Sequence, residues 1–361
     1  MKQKPYFHLV LFVTILFLAG PACQVITGIF EEDYGYSNES YKDEPGSETE
    51  VEPEESAPAT ENPEPENNAS VNDKTCPAVT ENILSAATQV EDDADDDYAE
   101  EPENQYLLTY KISGNQISNP IFESVSGDLQ SYQDDTATHQ QIWEYFITLI
   151  PSDERTGLKE FMIVTDGESN NLAAVAQTAY DPNLWALEVD IVDSDDKLNL
   201  TYTLIHEYAH LLTLGPNQVT PSIAIFNNPD DDDIYYDEAF ACLAYFPGEG
   251  CSQEDSYINA YFNRFWADIH EEWQDINLIE DNDAYYEALD NFYFDYEDRF
   301  VTDYAPTNPE EDIAEAFSFF VLSPRPSGNT IAEEKILFFY DYPELVRLRD
   351  EITNGICSLN Q

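Results

Sequence analysis

The distribution of apolar and polar positions divides the chain into a polar leading part and a patterned body. Phe7 to Ala19 (FHLVLFVTILFLA) is a predominantly apolar run. From Glu31 to about Asn72 the chain is rich in Glu, Pro, Ser and Asn and nearly free of large aliphatic side chains. Such a stretch cannot bury enough apolar surface to offset the entropy lost on folding, so it reads as a disordered, extended tether. Cys76 to Gln89 (CPAVTENILSAATQ) is more apolar and reads as a short helix, and Glu91 to Glu103 is a second acidic run. Patterning proper begins near Gln105. Tyr106 to Ile112 and Glu160 to Thr165 read as strands, with a helix over Thr138 to Ile150 between them. Leu172 to Tyr180 and Trp185 to Val192 read as two paired strands around a turn at Asp181-Pro182-Asn183. Helical periodicity then takes over, at Tyr257 to Trp273, Asp283 to Phe300, Pro309 to Leu322, Ile331 to Tyr340 and Pro343 to Ile352. Strands first and helices afterwards predict an α+β fold, a small mixed β-sheet followed by a mostly helical half. The chain divides into 1–22, 23–104 and a folded domain over 105–361.

Between the two halves stands Thr203-Leu204-Ile205-His206-Glu207-Tyr208-Ala209-His210-Leu211-Leu212, an HExxH motif in an apolar, helix-forming segment. Two imidazoles four residues apart lie on the same helix face about one turn apart, a spacing that lets both bind one zinc ion. Glu207 between them is placed to take a proton from an attacking water. With five His in the whole chain, the motif is a specific sign of a zinc hydrolase.

A catalytic zinc needs a third protein ligand and an open position. The metzincin extension HExxHxxGxxH is absent, since Thr213 stands at its Gly and Pro216 at its last His. The best source is Asp303 to Val321 (DYAPTNPEEDIAEAFSFFV). Asn308 is a good N-cap, Pro309 suits the first turn, and Glu310 and Glu311 suit the positive end of the helix. Glu311 and Glu315 share a face beside an apolar stripe of Ala314, Phe317 and Val321, where a carboxylate needs a cation or hydrogen bonds. Glu311, Glu315 and Glu310 are all candidate ligands, and Glu311 also stands where a capping-box residue would. His270 reads as solvated on a polar helix face rather than as a ligand, and His139 as exposed. Asp230 to Asp233 reads as a solvated acidic loop, with a calcium site as the alternative.

HEYAH together with YAPTNPEEDIAEAF resembles the anthrax-lethal-factor-like branch of the gluzincins and related bacterial zinc-binding metallopeptidases. The resemblance covers about half the chain, from the paired strands to the second motif. It implies a zincin-like fold with His206, His210 and Glu311 as zinc ligands and Glu207 as general base. Tyr304 would face the metal and stabilise the oxyanion, and Glu315 would support the ligands from behind. Asp312 stands where that branch usually has an aromatic residue. The activity implied is zinc-dependent hydrolysis of a peptide or protein substrate, of the endopeptidase type. In this fold type the edge strand just before the motif helix pairs with the extended substrate, which places Trp185 to Val192 there. Two alternatives from other classes are a non-catalytic, zinc-containing surface lipoprotein with a binding role, and an acidic protein that sequesters metal ions or a basic partner.

Charge and cysteines refine this picture. The formal net charge is -60, with 74 Asp and Glu against 14 Lys and Arg. That balance excludes a nucleic-acid partner, which needs a cationic face, and it disfavours docking on anionic lipid. Lys2 and Lys4, the apolar run and Gly20-Pro21-Ala22-Cys23 read as an export signal. They resemble a bacterial lipoprotein signal in which lipidated Cys23 becomes the N-terminus and the membrane contact, with Gly20 in place of the usual aliphatic residue. The protein is then exported and held at the bacterial cell surface. The remaining Cys76, Cys242, Cys251 and Cys357 form two expected disulfides, Cys242 with Cys251 across a short loop and Cys76 with Cys357 across the folded part.

Overall fold

Local sequence signals place most elements. The computed structural model describes residues 76–88, 104–167 and 172–360. The apolar run, Cys23 and the tether over 31–72 lie outside these residues. The described chain begins with helix α1 (Pro77–Ala87) and continues through strands β1 (Gln105–Ser113) and β2 (Gln116–Phe122), helices α2 (Leu129–Asp134) and α3 (Thr136–Leu149), and strands β3 (Leu158–Thr165), β4 (Ala173–Thr178) and β5 (Asp181–Asp190). Helix α4 (Lys197–Leu214) carries HEYAH. After it come β6 (Val219–Pro221), α5 (Ile223–Asn227), α6 (Asp232–Ala241) and β7 (Gly250–Ser252). The helical half is α7 (Tyr257–Phe265), α8 (His270–Ile276), α9 (Asn282–Asp295), α10 (Pro309–Leu322), α11 (Ile331–Phe338) and α12 (Pro343–Leu359). This is an α+β fold with a mixed five-stranded sheet, as expected.

The sheet order is β2-β1-β3-β5-β4. Only the β3–β5 pair is parallel among these strands. The sequence places the turn between the last two strands at Asp181-Pro182-Asn183 and the substrate-side edge at Trp185 to Val192. Both readings are corrected. Thr178 pairs with Asp181, so the turn is Ala179-Tyr180, and a register shift absorbs Pro182, Asn183 and Leu184 at the start of β5. β5 lies inside the sheet between β3 and β4, and the edge strand is β4. Buried on both faces over Trp185–Asp190, β5 shows the near-continuous burial of an interior strand.

The core joins sheet and helices. Trp143, Phe146 and Phe161 pack α3 on β3. Tyr208, Phe317, Phe320 and Phe339 tie α4, α10 and the segment after α11 into one cluster. α10 is buried nearly all round, which marks it as the central helix of the domain. α1 belongs to the same body. Its Ile83 is buried in the core, and Cys76 at its N-cap is bonded to Cys357 in α12. The folded part therefore starts upstream of Gln105, at a helix whose weak apolar pattern gives little sign of its docking. The second disulfide joins Cys242 and Cys251. Both pairings match the expectation, and two disulfides fit an oxidising, extracellular compartment. No helix among the described residues is long and apolar enough to cross a membrane.

Two further expectations are corrected. His139 is fully buried, with Nδ1 bonded to Tyr110 Oη at 3.0 Å and Nε2 to the Tyr132 carbonyl at 2.8 Å. Its place near the start of a helix made it read as exposed, whereas the helix turns His139 inward. His270 is half-buried, stacked on Trp273 with ring centroids 5.3 Å apart. The acidic run over 230–233 is exposed and starts α6, where Asp231 accepts from Ile234 N.

Candidate metal centre

Two helices build the site. α4 starts where the Asp196 carboxylate accepts from Leu198 N and Asn199 N, and it runs to Gly215. α10 starts at Asn308, whose Oδ1 accepts from Glu311 N at 2.8 Å, with Pro309 in the first turn. Glu310, Glu311 and Asp312 occupy the first turn, where the helix dipole favours negative charge. α4 packs on α10, so the His206/His210 face meets that first turn.

His206 Nε2 lies 2.9 Å from Glu311 Oε2 and 3.1 Å from His210 Nε2, and His210 Nε2 lies 3.4 Å from Glu311 Oε2. All three residues are buried. The helix cap and the ligand candidate are thus one residue in two roles. The Glu311 amide closes the Asn308 cap, while its carboxylate faces the imidazoles. Glu315, one turn on, stands behind His206 and accepts from its Nδ1 at 2.8 Å. It also accepts from Tyr202 Oη at 2.9 Å and Thr302 Oγ1 at 2.6 Å. The Glu315 bond orients the His206 ring through Nδ1, turning Nε2 toward Glu311 and His210.

Two ring nitrogens and an anionic oxygen crowded together repel one another unless a proton or a metal cation lies among them. The electrostatics follow that demand for positive charge. Burial pushes His206 towards its neutral form, but the carboxylates of Glu311 and Glu315 outweigh it and hold the imidazole well above its usual pKa. Burial pushes Glu311 up, yet His210 and His206 hold it well below the usual carboxylate range. Two imidazole nitrogens and one carboxylate oxygen are the donor set of catalytic zinc sites that keep a position open. The residues present therefore fit a zinc ion.

Glu207 is held from the sheet side. Its Oε2 accepts from Val175 N, on the edge strand β4, at 2.9 Å. Burial raises its pKa above the ordinary value, with His210 and His206 opposing. Tyr304 lies in the turn before α10, its ring centroid 6.2 Å from that of His206, and it stays 47% exposed. The exposure is of the residue as a whole; desolvation at the hydroxyl end, and then the charges of Glu311, Glu207 and Glu315, raise the hydroxyl pKa well above normal. The structure thus brings His206, Glu207, His210, Tyr304 and Glu311 into one site. The roles of Tyr202 and Thr302 were missed from sequence. Tyr202 had a readable signal, four residues before His206 on the same helix face; Thr302 had none.

Glu310 turns away from the imidazoles and accepts from Tyr245 Oη at 2.7 Å. Burial raises its carboxyl to about 8. A second carboxylate group, Asp166, Asp190 and Asp193, also lies close together. There Asp190 accepts from the amides of Asp166, Val192 and Asp193, tying the end of β3 to the turn before α4.

No protein-family model, curated protein sequence or solved structure matches this chain.

Proposed function

We propose that the protein is a zinc-dependent peptidase, of the endopeptidase type, with a zincin-like catalytic domain. The observation that carries this is the convergence of His206 Nε2, His210 Nε2 and Glu311 Oε2 next to a Glu207 carboxylate held by the edge strand. His206, His210 and Glu311 would hold zinc, which when bound supplies Lewis-acid polarisation of the scissile carbonyl and of the attacking water. Glu207 takes the proton of that water. The Val175 amide fixes one carboxylate oxygen and leaves the other for proton transfer. Glu207 then delivers the proton to the leaving amine. The Tyr304 hydroxyl donates to the carbonyl oxygen as negative charge develops there. The free edge of β4, rather than β5, lines up the extended peptide by main-chain hydrogen bonds. Glu315, Tyr202 and Thr302 keep His206 oriented.

In this reading the protein is exported and lipid-anchored at Cys23, with the tether holding the catalytic domain away from the membrane. Glu207 favours the peptidase reading over a non-catalytic zinc protein, because a structural zinc site needs no carboxylate poised between its two histidines.

The test is zinc content by elemental analysis in wild type, Glu311→Ala and Glu315→Ala, followed by cleavage of a peptide library. Stoichiometric zinc lost with Glu311→Ala, retained at reduced affinity with Glu315→Ala, and cleavage abolished by chelation are expected. Absence of zinc from metal-replete wild type would sink the proposal.

A further inference from the structure

The first turn of α10 carries three consecutive carboxylates, and each faces a different body. Successive side chains on a helix point about 100° apart. Glu311 faces α4, where its Oε2 meets the two imidazoles. Asp312 faces α7 and α11, where Tyr261, Trp266 and Lys335 hold it. Glu310 faces the loop between α6 and β7, where its Oε1 accepts from Tyr245 Oη at 2.7 Å. The direction of Glu311 is thus set between two flanking ties. The Asp312 tie has three donors. On the Glu310 flank Tyr245 is the one side-chain donor among the described residues.

Tyr245 is itself immobilised from several directions. It is buried, and its ring stacks on Phe262 with centroids 4.1 Å apart and planes 20° apart. Its amide donates to Asn259 Oδ1 at 3.0 Å, and its carbonyl accepts from Ser252 N at 3.0 Å and from Ser252 Oγ. Asn259 is held in turn, its side-chain amide donating to the Glu254 carbonyl at 2.9 Å. The loop that carries Tyr245 is closed by the Cys242–Cys251 disulfide. At its end the loop is pressed on β6, where a Cβ on Gly250 would fall 2.0 Å from the Thr220 carbonyl oxygen. The Tyr245 hydroxyl therefore stands at a fixed point, fastened to α7 and to its own loop, against which the first turn of α10 is set.

We propose that Tyr245 is a positioning residue of the metal centre: by holding Glu310 it fixes the rotation of the first turn of α10, and with it the direction of the Glu311 carboxylate. This rests on the zinc-centre reading above. It gives the Cys242–Cys251 loop a part in metal binding that neither motif of the sequence indicates. The loop acts on affinity and ligand geometry without touching the metal.

The test uses the purified protein with wild-type sequence, Tyr245→Phe, Glu310→Ala, Glu310→Gln and the double variant that joins Tyr245→Phe with Glu310→Ala. Zinc affinity is measured by competition with a chromogenic chelator, ligand geometry by the visible absorption of the cobalt(II)-loaded protein, and stability by denaturant unfolding of the metal-free form. Tyr245→Phe keeps the ring that stacks on Phe262 and loses only the hydroxyl. It is expected to weaken zinc binding about 10-fold and to shift the cobalt bands. Glu310→Ala removes the other partner and is expected to match it. The double variant loses no more than either single change, because all three remove the same bond. Glu310→Gln, whose amide oxygen still accepts, stays close to wild type. Should Tyr245→Phe not fold, the contrast between Glu310→Ala and Glu310→Gln carries the same test. Wild-type affinity and an unchanged cobalt spectrum in Tyr245→Phe would overturn the proposal while leaving the zinc centre intact, and a lowered unfolding midpoint beside them would make Tyr245 a packing residue only. Additive losses in the double variant would also overturn it, since the two residues would then act separately. Equal losses in Glu310→Ala and Glu310→Gln would do the same, since charge and not the bond would be at work. A wild type that binds no zinc removes the zinc-centre reading itself, a different and recognisable failure.

Discussion

Glu311 and Asp312 are consecutive residues in the first turn of α10, both buried, yet they belong to opposite kinds of environment. Asp312 and Lys335 are each 0% exposed and meet at 2.6 Å. Trp266 Nε1 donates to Asp312 Oδ2 at 2.7 Å and Tyr261 Oη at 2.9 Å, and the Lys335 ammonium lies 4.2 Å from the Phe300 ring centre. Here the cation is built into the chain and the cluster is closed. Glu311 faces only the imidazoles of His206 and His210, whose charge is a titratable proton, and no Lys or Arg is paired with it among the described residues. Burial alone therefore does not mark a functional carboxylate. What separates the two is whether the fold supplies the compensating charge, or leaves it to be supplied from solution.

The sharpest test of the metal side is Glu207→Gln. It keeps the shape and the Val175 contact but removes the base. Cleavage is expected to fall up to about 10⁴-fold with zinc content unchanged, and wild-type turnover would refute the role. On the closed side, Lys335→Met leaves Asp312 charged and unpaired. A loss of about 3–5 kcal/mol in denaturant unfolding is expected, without specific loss of zinc from the folded fraction. If Lys335→Met released zinc as readily as Glu311→Ala, the two clusters would not be separate.

Glu188 on β5 is an intermediate case, a buried carboxylate with a hydrogen bond from Tyr106 at 3.0 Å but no cation paired with it among the described residues. Burial holds its carboxyl up at about 7. In the interval below that value the folded state keeps a proton that the unfolded chain releases from about pH 4.5 upward. Its contribution is therefore most favourable at low pH and declines as pH rises through 7. Glu188→Gln should match wild type at pH 4 and exceed it by roughly 3 kcal/mol at pH 8, as read by chemical denaturation at the two pH values. Equal stabilities at both would show that Glu188 behaves as a solvated group. Tyr304→Phe is the mildest change. Loss of one oxyanion donor is expected to lower kcat about 100-fold, near 2.7 kcal/mol, with little change in KM or zinc content.

What was legible in the sequence was whatever is encoded locally. HEYAH declares its spacing within five residues, and Asn308-Pro309-Glu310-Glu311 declares a helix start, so α4 and α10 were both expected. The even cysteine count left three pairings, of which the short loop between Cys242 and Cys251 suggested the one observed. What was not legible depends on partners far along the chain. His139 needs Tyr110, Asp312 needs Lys335, and Glu315 needs Thr302; none of these is implied by its neighbours. The position of β4 at the sheet edge was missed for a similar reason. Periodicity identifies strands but not their order, and the crossover that puts β5 beside β3 is a property of the whole sheet. Asp312, which departs from the resembling family, is accounted for by Lys335, Trp266 and Tyr261.

The bond between Cys76 and Cys357, 281 residues apart in sequence, turns the folded body into a covalent ring. Cutting a ring once does not divide it. A single nick in the exposed stretch over 227–231, which separates the α4 and α10 halves of the site in sequence, would leave both on one molecule, reading as one band until the sample is reduced. For a domain proposed to cleave polypeptides outside the cell, closure of the ring confers tolerance to being cut in turn.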